Sequence, residues 1–258
     1  MSLIRKYLVS GVMENGIVSP TKVGTPQGGN LSPLLSNIML NELDKELEKR
    51  GLKFTRYADD CIIVVQSEKA ANRVMESITK FIEKKLGLRV NIEKSKVARP
   101  NEIKYLGFGF YNKKGTWRPK PHLKSVQKFK RKLKKLTNRN QSISIAERVI
   151  KLNQVIRGWV NYFRIADMKS HMSRIGSHLS RRLRCIIWKQ WKTCDNRIKC
   201  LKKLGVYENK ARMCAYSRKS YWFMSNQISI KYAISNKRLN QKGLIFPLDH
   251  YEKVHISI

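Results

Sequence analysis

The stretch from Phe54 to Val65 constrains the fold more than any other part of this 258-residue chain. It consists of two short runs rich in aromatic and β-branched residues, separated by Ala58-Asp59-Asp60. Such runs are typical of β-strands, and a break of this kind predicts a turn between them. The stretch therefore predicts a β-hairpin that carries two adjacent carboxylates, Asp59 and Asp60, at its tip.

The two carboxylates have a functional and a purely structural interpretation. Neighbouring strand residues point to opposite faces, so adjacent acids converge only where a turn brings them around one point. Like charges that are poorly solvated favour a bound cation, and Mg²⁺ prefers a few carboxylates together with water and substrate phosphates. Asp is also frequent in ordinary turns, so the hairpin alone leaves both interpretations open.

The charge balance indicates a polyanionic partner. The chain has 54 Lys and Arg against 18 Asp and Glu, a formal net charge of +36. The excess is uneven, because residues 1–100 have a net charge of +6 and residues 101–258 a net charge of +30. A surplus of this size repels itself unless a polyanion neutralises it, so nucleic acid is the expected partner.

Cysteine, histidine and hydropathy patterns argue against several other classes of protein. Five cysteines without a C-x-x-C pair support neither a zinc site nor a disulfide framework. The five histidines have no carboxylate at ligand spacing. No apolar run reaches the length of a membrane span, and the N-terminal residues do not form a signal peptide. We expect a cytoplasmic protein in a bacterium or organelle, associated with nucleic acid and not with a membrane.

The N-terminal part of the chain mixes short strands with amphipathic helices, which predicts an α+β unit with helices packed on an antiparallel sheet. A flexible segment containing Gly28 and Gly29 precedes a helix that starts at Ser32-Pro33. That segment fits either a phosphate or base contact or a plain loop. The predicted elements are a helix over 2–10, a hairpin over 12–23, helices over 32–51 and 70–86, and strands over 88–92 and 104–111.

From His122 onward the pattern is helical and strongly basic. Helices are predicted over 126–136, 145–163 and 168–191, the second with a capping box at Ser144 and Glu147. A basic, aromatic tail with short helices follows over 192–258. Basic faces with interleaved aromatics suit an RNA backbone and stacked bases, although most of these aromatics have the spacing of core residues. The candidate RNA-binding residues are Lys128, Arg131, Arg157, Arg164, Arg181, Arg182 and Lys189.

Several motifs, in order along the chain, resemble a known family. The segments Gly24 to Gly29, Leu31 to Asn37 and Tyr57-Ala58-Asp59-Asp60 resemble the reverse transcriptase palm, and 87–95 and 105–108 resemble the palm motifs that follow. The segments 156–164 and 187–191 are similar to the thumb (maturase) region of group II intron-encoded proteins. One departure is Asn30, where the family usually has proline.

This resemblance implies RNA-directed DNA synthesis together with maturase assistance to intron splicing and mobility. It implies a partial palm over 1–118, a helical thumb/maturase domain over 119–192 and a DNA-binding-like region over 193–258. The partners would be group II intron RNA, an RNA template with a DNA primer, target DNA and dNTPs. The cofactor would be Mg²⁺, with two ions in the complete enzyme.

The resemblance also implies roles for individual residues. Asp59 would be the main metal ligand, supported by Asp60, and both would be catalytic. Gln27 and the Gly28 backbone would contact the incoming nucleotide, and Tyr57 and Ala58 would line the primer end. Lys94 would neutralise or protonate the leaving pyrophosphate; an ordinary surface lysine is the alternative.

A two-metal site of this family needs a third acid on an earlier strand. The acids before the hairpin lie in a predicted turn or on one polar helix, so none fits that role: Glu14, Glu42, Asp44, Glu46 and Glu48. The expectation is that this chain corresponds to the C-terminal part of a longer protein, without the fingers and first palm motifs, and that it polymerises little by itself. The alternative is a non-catalytic intron RNA-binding or splicing factor.

Overall fold

The computed structural model describes residues 2–9, 11–14, 17–19 and 31–256. The chain divides into two compact units, Met1–Arg99 and Pro100–Ile258. The first unit combines helices with two antiparallel hairpins, as predicted. Its elements are α1 (Ser2–Val9), β1 (Val12–Glu14), β2 (Ile17–Ser19), α2 (Ser32–Lys49), β3 (Lys53–Tyr57), β4 (Asp60–Val64) and α3 (Glu68–Lys85).

The core of the first unit forms where α2 and α3 pack on one face of the β3–β4 hairpin. Leu43 and Leu47 from α2 and Ile78 from α3 are buried together, and Phe54 and Ile63 from the hairpin pack against them. Helix α3 begins at a predictable place because the Ser67 side chain accepts the Ala70 N–H at 3.2 Å. The hairpin and both helices are therefore confirmed.

The predicted strand over 88–92 is wrong. These residues form no regular secondary structure. Gly87 adopts a left-handed φ of +66° after α3, and the Leu88 N–H then donates back to the Ile82 carbonyl at 3.2 Å. Further along, Asn91 accepts the N–H groups of Lys94 and Ser95. The Leu88 N–H and the Asn91 carbonyl, which a strand would use for pairing, are thus committed to a helix end and a turn.

The second unit is mostly helical. Within its described residues, 100–256, a 3₁₀ turn (Pro100–Glu102) and the hairpin β5 (Phe108–Lys113) and β6 (Thr116–Pro121) precede nine helices. No helix in the described part of the chain is both long and apolar enough to cross a membrane. The helices are α4 (Leu123–Leu136), α5 (Ile145–Tyr162), α6 (Lys169–Gln190), α7 (Cys194–Lys203), α8 (Glu208–Ala215), α9 (Tyr221–Met224), α10 (Ile228–Ala233), α11 (Asn236–Gln241) and α12 (Pro247–Val254).

One hydrophobic core joins the three long helices to the tail. Phe129 of α4 stacks on Trp159 of α5, with ring centroids 4.4 Å apart, and Trp188 of α6 is only 2% exposed. Leu201 and Tyr251 from the tail helices belong to the same buried cluster. The tail is therefore an integral part of the second unit.

The β5–β6 hairpin packs with these helices. Phe108 contacts Phe163 with ring centroids 4.8 Å apart, and the Tyr111 hydroxyl donates to Asp167 at 2.5 Å. Between the 3₁₀ turn and α4, Gly107 has a φ of +83°, and an added Cβ would lie 3.1 Å from Ser125 Oγ and 3.2 Å from Phe163 Cζ. The hairpin resembling a palm element is thus structurally part of the helical unit, and the boundary between the compact units lies at Arg99.

Candidate functional site

The two carboxylates lie at the tip of the β3–β4 hairpin. Tyr57 pairs with Asp60, so Ala58 and Asp59 form a two-residue connection. Ala58 adopts a φ of +54°, the left-handed region, which costs a non-glycine residue about 1–2 kcal/mol. Asp59 and Asp60 are both exposed. The strand anchored in the core thus presents two adjacent carboxylates to solvent.

An arginine on β3 holds this turn. Arg56 Nε and Nη2 donate to the two carboxylate oxygens of Asp44 on α2, at 2.8 and 2.5 Å. Its Nη1 donates to Asn37 Oδ1 and to the Ala58 carbonyl, both at 2.9 Å. The side chains of Arg56 and Asp44 are only 12% and 22% exposed. This pairing ties α2 to the strained residue that precedes the carboxylates.

The donor set fits a hard divalent cation only in part. Asp59 and Asp60 supply the carboxylate oxygens that Mg²⁺ prefers, and Mg²⁺ often binds through one or two carboxylates with water and substrate phosphates. Among the described residues, no third Asp, Glu, His or Cys joins a metal-binding group. Asp44, an acid of the preceding helix, is committed to Arg56. The described residues therefore present two of the ligands of such a site.

The predicted nucleotide-binding residues do not all fall on described residues. Gln27 and Gly28 lie outside them. Tyr57, 65% exposed, and Ala58 directly precede the carboxylates. Lys94 is exposed on a separate segment, in the turn after Asn91. The structure thus brings Tyr57 and Ala58 to the carboxylate turn.

Apart from the cations that form ion pairs with Asp or Glu, two groups of cationic residues stand out in the second unit. The first group is exposed and forms no ion pair with a described residue. It includes four predicted RNA-binding residues, Lys128 and Arg131 on α4 and Arg157 and Arg164 on and after α5. On α4, six cations extend the exposed face around Arg131: Lys124, Lys128, Lys130, Lys132, Lys134 and Lys135.

The second group donates to carbonyls at helix ends. Arg182 donates to the carbonyls of Lys134 and Thr137 at 3.1 and 2.9 Å, where α4 ends. Arg148, 1% exposed, donates to the Leu136 carbonyl at the same helix end. The last carbonyls of a helix lack intrahelical donors and carry partial negative charge, which cations stabilise. These arginines therefore cap α4.

Other cations of α6 also form hydrogen bonds within the protein, to carbonyls at α9 and to a side chain in the loop after α4. Arg181 donates to the Trp222 carbonyl at 3.1 Å and stacks over the Trp222 ring at 4.0 Å. Arg184 donates to the Ser225 carbonyl at 3.0 Å. Lys189 donates to Asn140 Oδ1 at 2.9 Å. Three of the predicted RNA-binding residues, Arg181, Arg182 and Lys189, thus already have partners within the protein.

Sequence reasoning missed Arg56, Asp44 and Arg148, although a signal was present for two of them. Arg56 follows the inward-facing Phe54 by two residues, so both side chains lie on the core side of β3. Arg148 precedes Leu152 and Ile156 at intervals of four, which places it on the buried stripe of α5. A charge at an inward position predicts a buried partner, but the pattern does not identify that partner.

The lowered pKa values of four histidines indicate a positive electrostatic potential in the second unit. Burial lowers the pKa of His178, and Arg182 and Arg181 lower it further. Burial likewise lowers the pKa of His171, with contributions from Lys130 and Arg174. The same direction holds for His122 and His250. A field that disfavours added positive charge on imidazole favours a bound anion.

Two family models match the chain, in order. Residues 1–110 match a model described as reverse transcriptase (RNA-dependent DNA polymerase). Residues 126–205 match the maturase-specific domain of group II introns. The first match includes the carboxylate turn, and the second includes most of α4 and all of α5 and α6.

Curated relatives agree with both models. Protein YkfC of Escherichia coli (strain K12) is 31% identical over 40% of this chain and 36% of its own length. The group II intron-encoded protein LtrA of Lactococcus lactis subsp. cremoris is 50% identical over 23% of this chain and 10% of its own length. The putative COX1/OXI3 intron 2 protein of Saccharomyces cerevisiae is 27% identical over 47% and 21%.

These matches span well under half the length of each relative. The two models taken together nevertheless give the combination that the motifs imply, a reverse transcriptase palm followed by a group II maturase-specific domain. The chain therefore contains a reverse transcriptase region over 1–110 followed by a group II intron maturase-specific region over 126–205, which supports a group II intron reverse transcriptase/maturase.

Proposed function

We propose that this chain acts in RNA-directed DNA synthesis and in assisting the splicing and mobility of a group II intron. The observation that carries the proposal is the carboxylate pair Asp59 and Asp60 on a braced hairpin, in a chain whose second unit is a basic maturase-like domain. The partners would be intron RNA, a template with its primer, target DNA and dNTPs.

In this proposal the hairpin positions the reacting groups. Asp59 and Asp60 hold Mg²⁺, which when bound stabilises charge on the attacking and leaving oxygens. Tyr57 and Ala58 line the primer end beside the carboxylates. Gln27 and Gly28 contact the incoming nucleotide, and Lys94 neutralises the pyrophosphate. Arg56 keeps the turn in place through its hydrogen bond to the Ala58 carbonyl.

The exposed cations of α4 and α5 bind RNA phosphates in this proposal. Lys128 and Arg131 lie on the unpaired basic face of α4, and Arg157 lies exposed on α5. Arg181, Arg182 and Lys189 add to the positive potential while their hydrogen bonds hold the helices together. Domain boundaries near residues 118 and 192 would divide the palm, thumb and DNA-binding-like regions.

Cation binding tests the role of the carboxylates without requiring turnover. Paramagnetic Mn²⁺ should broaden the backbone amide resonances around Asp59 and Asp60, and Asp59→Asn should remove most of the effect. Glu83→Gln, which neutralises an exposed carboxylate on α3, is the matched control. Broadening that survives Asp59→Asn, or that centres elsewhere, would contradict the assignment. RNA binding without any effect of Mn²⁺ at the turn would favour a non-catalytic splicing factor.

Primer extension tests the reaction itself. With Mg²⁺ and an RNA template, we expect little synthesis by this chain alone, because only two carboxylates meet in its described residues. Any synthesis should disappear in Asp59→Ala. Robust extension by the unaltered chain would refute the first expectation, and extension by Asp59→Ala would refute the metal-ligand role.

Salt titration tests the RNA face. Lys128→Gln with Arg131→Gln should lower the slope of log affinity against log salt by about 0.7–0.9 for each lost phosphate contact. Lys199→Gln with Lys210→Gln removes the same charge from exposed positions on α7 and α8. Equal slopes for the two double variants would show that the α4 face does not contact RNA.

A further inference from the structure

Two cavities of the second unit form one groove along α6. The larger, about 950 Å³, lies between α6, α11 and α12, and the smaller, about 690 Å³, lies between α6, α10 and the start of α11. Both are lined by Ser177 of α6 and Asn236 of α11. Because they share these two residues, the cavities adjoin each other between the maturase-like helices and the tail, and together they are called the groove.

The walls of this groove carry cations that the fold does not use. Arg157 and Lys253 line the larger cavity together with Lys237, and Lys231 lines the smaller one. All four are exposed, and none forms an ion pair with a described residue. They differ in this from Arg181 and Arg184, which also line the groove but donate to carbonyls. Of the described residues that line either cavity, Asp249 alone is acidic.

The remaining lining suits a sugar–phosphate backbone. Ser173 and Ser177 from α6 and Asn236 and Asn240 from α11 supply neutral hydrogen-bonding groups between the cations. Phe246 and Met172 provide an apolar surface at the base. Cations that neutralise phosphates and small polar groups that bond to sugar or phosphate oxygens are the usual components of a nucleic-acid backbone site.

The potential inside the groove is positive. His250 lies in the larger cavity and shares a hydrogen bond of 2.8 Å with Asn161. Burial lowers its pKa, and Arg157 and Lys253 lower it further. The groove therefore opposes a further positive charge and favours an anion.

The size of the groove selects a single strand. A cavity of 950 Å³ has the volume of a cube roughly 10 Å on an edge, which is narrower than the ~12 Å major groove of a duplex alone. This volume suits one sugar–phosphate chain, whereas a whole duplex is wider than its own major groove.

We propose that this groove binds the backbone of a single-stranded segment of nucleic acid, with Arg157, Lys231, Lys237 and Lys253 contacting its phosphates. The assignment rests on the proposed nucleic-acid function and adds a site that is distinct from the exposed face of α4. It also explains why the tail shares a core with α6: the shared core fixes both walls of the groove.

The test is binding of a fluorescein-labelled oligouridine to the full chain, followed by fluorescence anisotropy over a salt series. Lys237→Gln with Lys253→Gln should make the log–log salt slope shallower by about 1.4, because each single-strand phosphate contact contributes about 0.7. The control Lys199→Gln with Lys210→Gln has the same net charge and should keep the original slope. Equal slopes for the two double variants would overturn the proposal.

Competition and cross-linking locate the strand. Unlabelled oligothymidine should displace oligouridine, because the backbone phosphates are common to both, whereas an annealed duplex should not. Failure of oligothymidine or success of the duplex would refute the single-strand phosphate site. A 4-thiouridine strand should cross-link to α11 or α12, and should still do so in Lys128→Gln with Arg131→Gln. Absence of all RNA binding by the unaltered chain would instead refute the proposed function as a whole.

Discussion

Arg56 donates to both carboxylate oxygens of Asp44, and the same guanidinium group reaches the carbonyl of Ala58. One side chain thus connects α2, β3 and the turn that carries Asp59. The planar guanidinium makes this possible because it offers several donors in a fixed geometry, which an ammonium group does not. The strained backbone at Ala58 is therefore held by a side chain that is itself fixed to α2.

The first prediction concerns this contact. Arg56→Lys keeps the positive charge but loses the planar guanidinium group with its several donors. We expect it to destabilise the β3–β4 hairpin by about 2 kcal/mol. Amide hydrogen exchange of β3 and β4 measures the loss. Arg50→Lys is the control, because the partners of Arg50, Glu46 and Ser77, lie on α2 and α3 and not on the hairpin, so this variant should leave exchange in β3 and β4 nearly unchanged. Equal losses in the two variants would show that Arg56 does not hold the turn.

The second prediction separates structural from binding cations. Arg182→Gln removes donors from Thr137 Oγ1 and from the carbonyls of Lys134 and Thr137, so it should cost about 2–3 kcal/mol of stability. Lys130→Gln on the exposed face of α4 should change stability by less than about 0.5 kcal/mol. Urea unfolding followed by helical circular dichroism measures both. If Arg182→Gln is as benign as Lys130→Gln, then Arg182 does not cap α4.

Local patterns predicted most of the helices because the information lies within a few residues. The Ser144 side chain accepts the Glu147 N–H at 3.1 Å, as the predicted capping box requires, and α5 begins there. The carboxylate hairpin followed from strand propensity on both sides of Ala58-Asp59-Asp60. In each case a residue and its partner are close in sequence.

Features that depend on distant residues were not predictable in this way. The strand expected at Leu88 to Ile92 has suitable residue types, but the Leu88 N–H donates to the end of α3 and the Asn91 carbonyl accepts from a turn. The partners of Arg148 and Arg182 at the end of α4 belong to other helices. Sequence composition indicated that the arginines have a function. Which arginines cap helix ends and which face solvent depends on how the helices pack, and this is visible only in the structure.

The third prediction is a loss of stability in mild acid. The pKa values of His122, His171, His178 and His250 are lowered from 6.5 in the folded chain. The unfolded chain therefore binds more protons, and stability is highest above pH 6.5 and falls as pH decreases through 6.5 toward the lower folded values. Urea midpoints at a series of pH values measure this trend. His171→Gln should reduce the slope, and a stability that rises on acidification would contradict the prediction.

The fourth prediction concerns Gly158, which lies in the middle of α5. An added Cβ there would meet no atom within 4 Å, so packing within the protein does not explain a glycine. Because glycine is a poor helix former, Gly158→Ala should raise the free energy of unfolding by about 0.8 kcal/mol. The neighbouring Arg157 is a proposed phosphate contact, so close approach of an RNA backbone to α5 would account for the missing side chain.

We therefore expect Gly158→Ala to be more stable and yet to bind RNA more weakly, as measured by urea unfolding and by anisotropy with intron RNA. Gln154→Ala, one turn earlier on the same exposed face, is the matched control and should leave RNA affinity unchanged. A merely structural glycine would give the gain in stability without the loss in affinity. That result would place the RNA away from this part of α5, since a backbone that does not approach Gly158 is insensitive to a methyl group there.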